Sequence, residues 1–322
     1  MGYQGLDYNE RTGDVLKKQK SMTRRFKRED IPLYIMALPG VALLILFSYM
    51  GGLVLAFKKY NVQKGIFGSP FNGFDNFKFL FATSDAFIIT RNTVLYNIVF
   101  IFLNMALAVV LSLMLSSLRS RRLAKMLQTI YMMPNFLSWA VVAIIVAAFL
   151  ERSHGYVNHV LQMFGQEGLV DWYKQISIWP PLLVFINAWK GVGYQAVVYL
   201  AVISGISSDY YEAARLDGAS RFQQAVYITI PHLRFIIAVS LIMAMGGIFR
   251  GDFGLFYTVP KNSGTLYPVT NVIDTYIYRG LQNQVNLGMN TAAGLFQSVV
   301  GFVFVLLANK IVSKVDPDSA MF

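Results

Sequence analysis

Six long apolar stretches in this chain of 322 residues constrain its fold more than any other feature. They lie at 33–57, 93–118, 126–150, 178–206, 233–249 and 291–308. A helix of about 20 apolar residues spans the hydrocarbon core of a bilayer. Because 55% of the residues are hydrophobic and 14% are charged, one soluble domain could not bury this much apolar surface. The sequence therefore predicts an all-α, polytopic membrane protein with six transmembrane helices.

Basic residues cluster beside these predicted spans. Lys and Arg are frequent at 17–28, before the first span, and at 119–125, between the second and the third. Cytoplasmic loops of membrane proteins carry such an excess of basic residues. Because the number of predicted spans is even, we expect both tails, 1–30 and 314–322, in the cytoplasm. The net charge of +11 is then explained by topology and by contact with membrane lipid, and no nucleic acid partner is expected.

The patterns that usually carry chemistry are missing from the sequence. It contains no cysteine, and its three histidines form no H-E-x-x-H pattern. It has no nucleophile elbow. A phosphate-binding G-x-x-x-x-G-K-[ST] loop is also lacking, so ATP hydrolysis must reside in another polypeptide. We therefore expect a chain that is not an enzyme, with no catalytic residue, no metal site and no bound cofactor.

A compact polar segment separates the fourth and fifth predicted spans. It contains Glu212-Ala-Ala-Arg-Leu-Asp-Gly218 and, nine residues after the glycine, Ile228-Thr-Ile-Pro231. We expect two short helices, the first capped by Asp209 with Glu212 reaching back to it. The glycine permits a sharp bend, and the proline ends the second helix. An ordinary amphipathic cytoplasmic loop is the alternative interpretation.

The spacing of this segment resembles the EAA signature of binding-protein-dependent ABC importer permeases. That signature reads E-A-A, three residues, G, nine residues and I-x-L-P, and this chain departs from it in having Ile230 where the signature has leucine. In that family the segment projects into the cytoplasm and docks in a cleft of a separate ATPase subunit. The resemblance therefore assigns ATPase coupling to Glu212, Ala213, Ala214, Asp217, Gly218, Ile228 and Pro231.

Other blocks resemble the carbohydrate branch of these permeases, which includes the importers of complex oligosaccharides and polysaccharide fragments. They lie at 30–40, 73–79, 128–139 and 272–279. The resemblance implies a maltose-type fold in the bacterial cytoplasmic (inner) membrane. Its first helix, at 31–58, would wrap a partner permease. A core of five helices at 91–313 would include the coupling segment at 208–231.

The function implied is that of a permease subunit in an ATP-driven importer of an oligosaccharide or polysaccharide fragment. The implied partners are a second permease in a heterodimer, two ATPase subunits that bind ATP and Mg, and an extracytoplasmic solute-binding protein. An ion-coupled sugar carrier is one alternative, but the six spans contain no Asp or Glu to bind a coupling ion. A membrane enzyme acting on a lipid-linked sugar is a more remote one.

Polar side chains within the spans are the candidates for a sugar path. Lys190 carries a charge that is costly in hydrocarbon, and beside it lie amides and rings that suit hydroxyls and pyranose faces. An interfacial anchor is the alternative for this group. Amides on the second span bond across helices more often than they contact substrate. The predicted path comprises Asn187, Trp189, Lys190, Tyr194, Gln195, Asn97 and Asn104.

A second set of polar residues precedes the sixth predicted span. In the expected topology this set lies near the outer mouth, where a docked binding protein or the sugar would contact it. The set comprises Asn271, Asp274, Tyr278 and Arg279.

Overall fold

The computed structural model describes residues 36, 38–40 and 51–315, apart from 83, 166–167 and 284–286. Most of the first predicted span, and the tails at 1–30 and 316–322, lie outside the described residues. Within the described part, β pairing consists of one isolated antiparallel bridge between Lys58 and Phe71. The prediction of an all-α chain is confirmed for this part.

The longer helices are labelled here in chain order. They are α1 (Ser84–Ser116), α2 (Arg121–Met132), α3 (Trp139–Leu150), α4 (Tyr156–Met163), α5 (Trp179–Ser204), α6 (Ser208–Leu216), α7 (Arg221–Met245), α8 (Ile273–Asn283) and α9 (Leu287–Val315). Short helical turns lie at Gly51–Leu55, Gly65–Gly68, Asp75–Phe77, Phe79–Ala82, Met133–Phe136, Trp172–Lys174, Ile176–Ile178, Gly254–Thr258, Gly264–Leu266 and Tyr267–Thr270.

Three helices, α1, α7 and α9, are each long and apolar enough to cross a bilayer. Two further crossings require a bent pair of helices: α2 and α3 meet at 97°, and α5 and α6 meet at 74°. The described residues therefore hold three crossing helices, or five if each bent pair is one span. The number six stays a prediction because 33–57 is mostly not described.

The predicted third span, 126–150, is not one straight helix, which corrects the expectation. A 3₁₀ turn at Met133–Phe136 interrupts it, with Pro134 in the first turn. The Ser138 side chain then accepts a hydrogen bond from the Val141 N–H at 3.3 Å and starts α3 afresh. The apolar run continues through this break, so hydropathy alone does not reveal it.

The centre of the described part is the packing of α1 against α5. Two apolar clusters lie along this pair, one containing Phe100 and Trp179 and the other containing Met105 and Tyr199. On α1 the boundary between the clusters falls at Asn104. A polar layer thus separates two hydrophobic cores.

The apolar windows of α1, α7 and α9 are only 22%, 17% and 28% buried within the chain. Most of their apolar surface must therefore be covered by lipid or by another subunit. This finding agrees with a membrane location.

Candidate functional site

A cavity of about 390 Å³ lies between α1, α5 and the residues that follow α7. Four side-chain amides proposed for the sugar path come together in its wall: Asn97, Asn104, Asn187 and Gln195. The other lining residues are Phe100, Ile101, Met105, Ala244, Arg250, Gly251 and Asp252.

The amides of Asn104 and Asn187 are directly bonded. Nδ2 of Asn104 donates to Oδ1 of Asn187 at 2.8 Å. Oδ1 of Asn104 is buried and has no hydrogen-bond partner in the described structure. Nearby, Nε2 of Gln195 donates to the Tyr199 hydroxyl at 3.0 Å. A buried carbonyl oxygen without a partner is costly, so this oxygen is an unsatisfied acceptor beside the amides that line the cavity.

Asn97 joins α1 to the chain after α7. Its Nδ2 donates to the backbone carbonyls of Ile248 and Arg250, both at 2.9 Å. Bonding across helices, the alternative role of these amides, is thus observed for Asn104, whereas Asn97 bonds from α1 to the link after α7. Asn97 also fixes the position of Arg250 at the cavity.

Arg250 and Asp252 line the cavity, although no sequence pattern singled them out. They lie in the irregular link after α7, and Oδ1 of Asp252 accepts a hydrogen bond from the Leu255 N–H at 3.2 Å. The sequence does show two opposite charges, Arg250 and Asp252, directly after the predicted span at 233–249. No spacing rule, however, indicates that these residues lie beside the middle of α1 and α5.

The residues around Lys190 that were predicted to share one sugar path do not all lie at the cavity: Asn187 and Gln195 line it, and Trp189, Lys190 and Tyr194 do not. Nζ of Lys190 donates to the Asn135 carbonyl at 2.8 Å and lies 5.2 Å from the centre of the Trp139 ring. Lys190 therefore binds the backbone where the predicted third span is broken. Trp189 and Tyr194 are 39% and 56% exposed and do not line the cavity. Their place in a sugar path stays a prediction.

The residues predicted to dock a binding protein make internal contacts. Arg279 donates to the amide oxygen of the buried Asn271 and to Oδ1 of Asn262, the latter at 3.0 Å. Tyr278 lies at the surface, 36% exposed. These contacts stabilise α8, and a docking role stays a prediction.

Asp274 is also held internally. It accepts hydrogen bonds from the Gly251 N–H and from Nε2 of Gln297, the latter at 3.1 Å. Burial raises the pKa of Asp274, although these donors and the charge of Arg250 oppose the shift. Within the described residues, no group of three or more His, Asp or Glu side chains is placed to hold a metal ion.

The predicted bend at Gly218 is confirmed. Gly218 has φ +79° and lies between α6 and α7. Its N–H donates to the Arg215 carbonyl at 3.1 Å, and the Ala219 N–H donates to the Ala214 carbonyl at 2.8 Å. These two bonds form a Schellman motif, in which a left-handed residue ends a helix.

The caps of this segment differ from the prediction. The Ser207 side chain, and not Asp209, caps α6, accepting from the Asp209 N–H at 3.3 Å. Asp209 lies inside the first helical turn, where its charge suits the helix dipole. The capping box is instead at the start of α7, between Ser220 and Gln223.

Pro231 does not end the second helix, which is a further correction. α7 continues through it from Arg221 to Met245. A π-helical turn at Ala225–Thr229 precedes it, and the Ile230 N–H donates to the Ala225 carbonyl. Because proline lacks an N–H and its ring crowds the preceding turn, the wider turn lets the helix pass this position.

The resulting coupling segment, defined as 208–231, presents an exposed surface. The Tyr211 hydroxyl lies 3.0 Å from Oγ1 of Thr229 and links α6 to α7. Leu216 is 89% exposed and Phe222 is 77% exposed. The residues assigned to coupling are exposed at Glu212, Ala213, Asp217, Gly218 and Pro231 and half-buried at Ala214 and Ile228.

Comparison with known proteins places these features in a family. The family described as binding-protein-dependent transport system inner membrane component matches residues 108–317. The polygalacturonan/rhamnogalacturonan transport system permease protein YteP of Bacillus subtilis (strain 168) is 31% identical over 308 residues, covering 93% of this chain and 94% of YteP.

Two crystal structures of bacterial ABC transporters also match. One, of a transporter involved in the import of the acidic polysaccharide alginate, has TM-score 0.79 and 33% identity over 94% of this chain and 99% of that one. The other, a bacterial alginate ABC transporter in complex with alginate pentasaccharide-bound periplasmic protein, has TM-score 0.78 and 33% identity over 89% of this chain and 96% of that one.

Proposed function

Since this chain belongs to the family of binding-protein-dependent transport system inner membrane components, we propose that it is the permease subunit of an ATP-driven importer of acidic oligosaccharides. It would act in the bacterial cytoplasmic membrane beside a second permease, two ATPase subunits and an extracytoplasmic solute-binding protein. ATP and Mg would bind to the ATPase subunits and not to this chain.

The observation that carries this proposal is the amide-lined cavity between α1 and α5. Amide groups donate to and accept from hydroxyls, so the cavity offers a saccharide partners in a layer that lies between two apolar clusters. A passage needs such a layer because a hydrated sugar loses water contacts inside the membrane.

Energy would reach this cavity through the coupling segment. Its bend is fixed by backbone bonds, and its apolar Leu216 and Phe222 side chains are exposed. A rigid surface of this kind suits insertion into a cleft of an ATPase subunit. Closure of the ATPases would then switch the helices as rigid bodies between two states.

Arg250 favours an acidic substrate. It lines the cavity together with the amides and with Asp252, whose Oδ1 already accepts a hydrogen bond from the Leu255 N–H. A guanidinium group binds a carboxylate with two parallel hydrogen bonds. In the described residues Arg250 forms no salt bridge. The relative that is named for polygalacturonan transport and the transporters that import alginate handle such acidic chains.

The test is ATP-dependent uptake by the complete complex in proteoliposomes, with a uronate oligosaccharide. We expect Arg250→Gln to lower uptake about tenfold, the size expected for losing a charged hydrogen bond. Arg152→Gln is the matched control because Arg152 is exposed and lies outside the cavity. Unchanged uptake in Arg250→Gln would contradict the acidic substrate. Uptake without ATP that an uncoupler abolishes would contradict the importer.

A further inference from the structure

A second and larger cavity, of about 960 Å³, lies where the ends of α1 and α5 meet the coupling segment. Apolar residues from the two membrane helices form part of its wall, and hydroxyl and basic side chains form much of the rest. The large apolar members are Leu113, Leu118, Leu200 and Ile203, and the hydroxyl members include Ser116, Ser117, Ser204, Ser208 and Ser220.

Positive charge dominates this second cavity. Arg119, Arg215 and Arg221 line it, with Glu212 as the acidic member of the lining set. In the part of the chain that the structure describes, none of these four side chains forms a salt bridge. Nη1 of Arg221 donates to the Ser117 carbonyl at 3.5 Å, which is a long bond. Three arginines and one glutamate give the lining a net charge of about +2, which attracts an anion into the cavity.

We propose that this cavity binds the headgroup of an anionic phospholipid. The phosphodiester would accept hydrogen bonds from the three arginines, since guanidinium groups match phosphate geometry. The first methylene groups of the acyl chains would contact the leucines from α1 and α5. A small free anion would use only the polar part of so large a cavity, whereas a phospholipid has both a charged and an apolar part.

The position of the cavity gives such a lipid a role in coupling. Arg215 and Arg221 lie on either side of the bend at Gly218, and Arg119 lies just after α1. A phosphate held by all three would join the coupling segment to the end of a membrane-spanning helix. Bound lipid would then stiffen the connection through which movement of the segment reaches α1.

The test measures lipid retention by the purified full chain, so it does not depend on transport or on the ATPase. The delipidated protein is titrated with phosphatidylglycerol, with phosphatidylcholine and with inorganic phosphate, and complexes are counted by native mass spectrometry. We expect one tightly retained phosphatidylglycerol, and about fivefold weaker retention in Arg215→Gln and in Arg221→Gln, the effect of one basic residue near an anionic lipid surface.

Arg122→Gln is the matched control, because Arg122 is exposed on α2 and does not line the cavity. It should retain phosphatidylglycerol as the wild type does. Size-exclusion chromatography and circular dichroism check that each variant is folded, and the Arg119→Gln variant provides a third position. Equal retention of both lipids, or equal loss in Arg122→Gln, would overturn the proposal. Displacement of the lipid by inorganic phosphate at comparable concentration would instead assign the cavity to a free anion and would also overturn it.

Discussion

Nδ2 of Asn104 lies 2.8 Å from Oδ1 of Asn187, and this hydrogen bond joins α1 to α5 across 83 positions of sequence. The two residues lie where one apolar cluster gives way to the next, so the bond is in the wall of the central cavity. The helix pair is therefore held by packing on both sides of a polar contact.

Replacing Asn187 with leucine should leave the Asn104 amide without its partner. A buried polar group that loses its hydrogen bond costs about 1–3 kcal/mol, so we expect a lower thermal unfolding temperature in detergent. The double variant Asn104→Leu with Asn187→Leu should recover part of this loss, because both polar groups are then removed. Strictly additive losses in the double variant would show that the bond contributes nothing to stability.

Much of the helical framework is visible in the sequence. The apolar runs locate α1, α5, α7 and α9 because helices in a bilayer must be long and apolar. The helical spacing of apolar residues at 156–164 likewise predicts the short helix α4. Four of the residues that line the cavity can also be predicted from the sequence, because polar side chains within apolar runs need partners. They are Asn97, Asn104, Asn187 and Gln195.

The rest depends on contacts that a linear pattern does not contain. The break in the third apolar run does not change the hydropathy of that run, so the apolar pattern alone does not reveal it. Passage of α7 through Pro231 depends on a π turn that no propensity rule predicts. Arg250 reaches the cavity because Asn97 binds its carbonyl, a contact over 153 positions.

A close backbone contact predicts a steric effect at Gly193. A Cβ atom at this position would lie 1.8 Å from the carbonyl oxygen of Tyr131, where α5 crosses the end of α2. Backbone atoms cannot move aside as a side chain can, so we expect Gly193→Ala to separate the helices and to lower the unfolding temperature markedly. Thermal unfolding followed by intrinsic fluorescence measures the change.

Gly191→Ala is the control for this prediction, because the nearest atom to its added Cβ is Nδ2 of Asn104 at 3.7 Å. Alanine also favours a helix over glycine by about 0.5–1 kcal/mol. We therefore expect Gly191→Ala to be neutral or slightly stabilising. Equal unfolding temperatures for the two variants would contradict the close packing of α5 on α2.

Asp274 predicts a dependence of stability on pH. Burial raises its pKa above the ordinary value of 3.8, so the folded state favours the protonated carboxyl group. The stabilisation from this group is complete below the unfolded pKa and is lost as the pH rises through the folded pKa. In the Asp274→Asn variant the side chain keeps an acceptor oxygen and does not ionise. The unfolding temperature of this variant relative to wild type should therefore rise as the pH increases above the ordinary carboxyl pKa of 3.8; a difference that stays constant would contradict the raised pKa.

The left-handed backbone at Gly218 predicts a selective effect on coupling. Its φ of +79° costs a non-glycine residue about 1–2 kcal/mol, and a β-branched side chain more. We expect Gly218→Val to distort the turn between α6 and α7 and to abolish transport-coupled ATPase activity, while the protein still inserts in the membrane. Gly218→Asn should keep most activity because asparagine tolerates the left-handed region. If the valine variant coupled as well as the asparagine variant, the geometry of this bend could not be what transmits movement from the ATPase to the membrane helices.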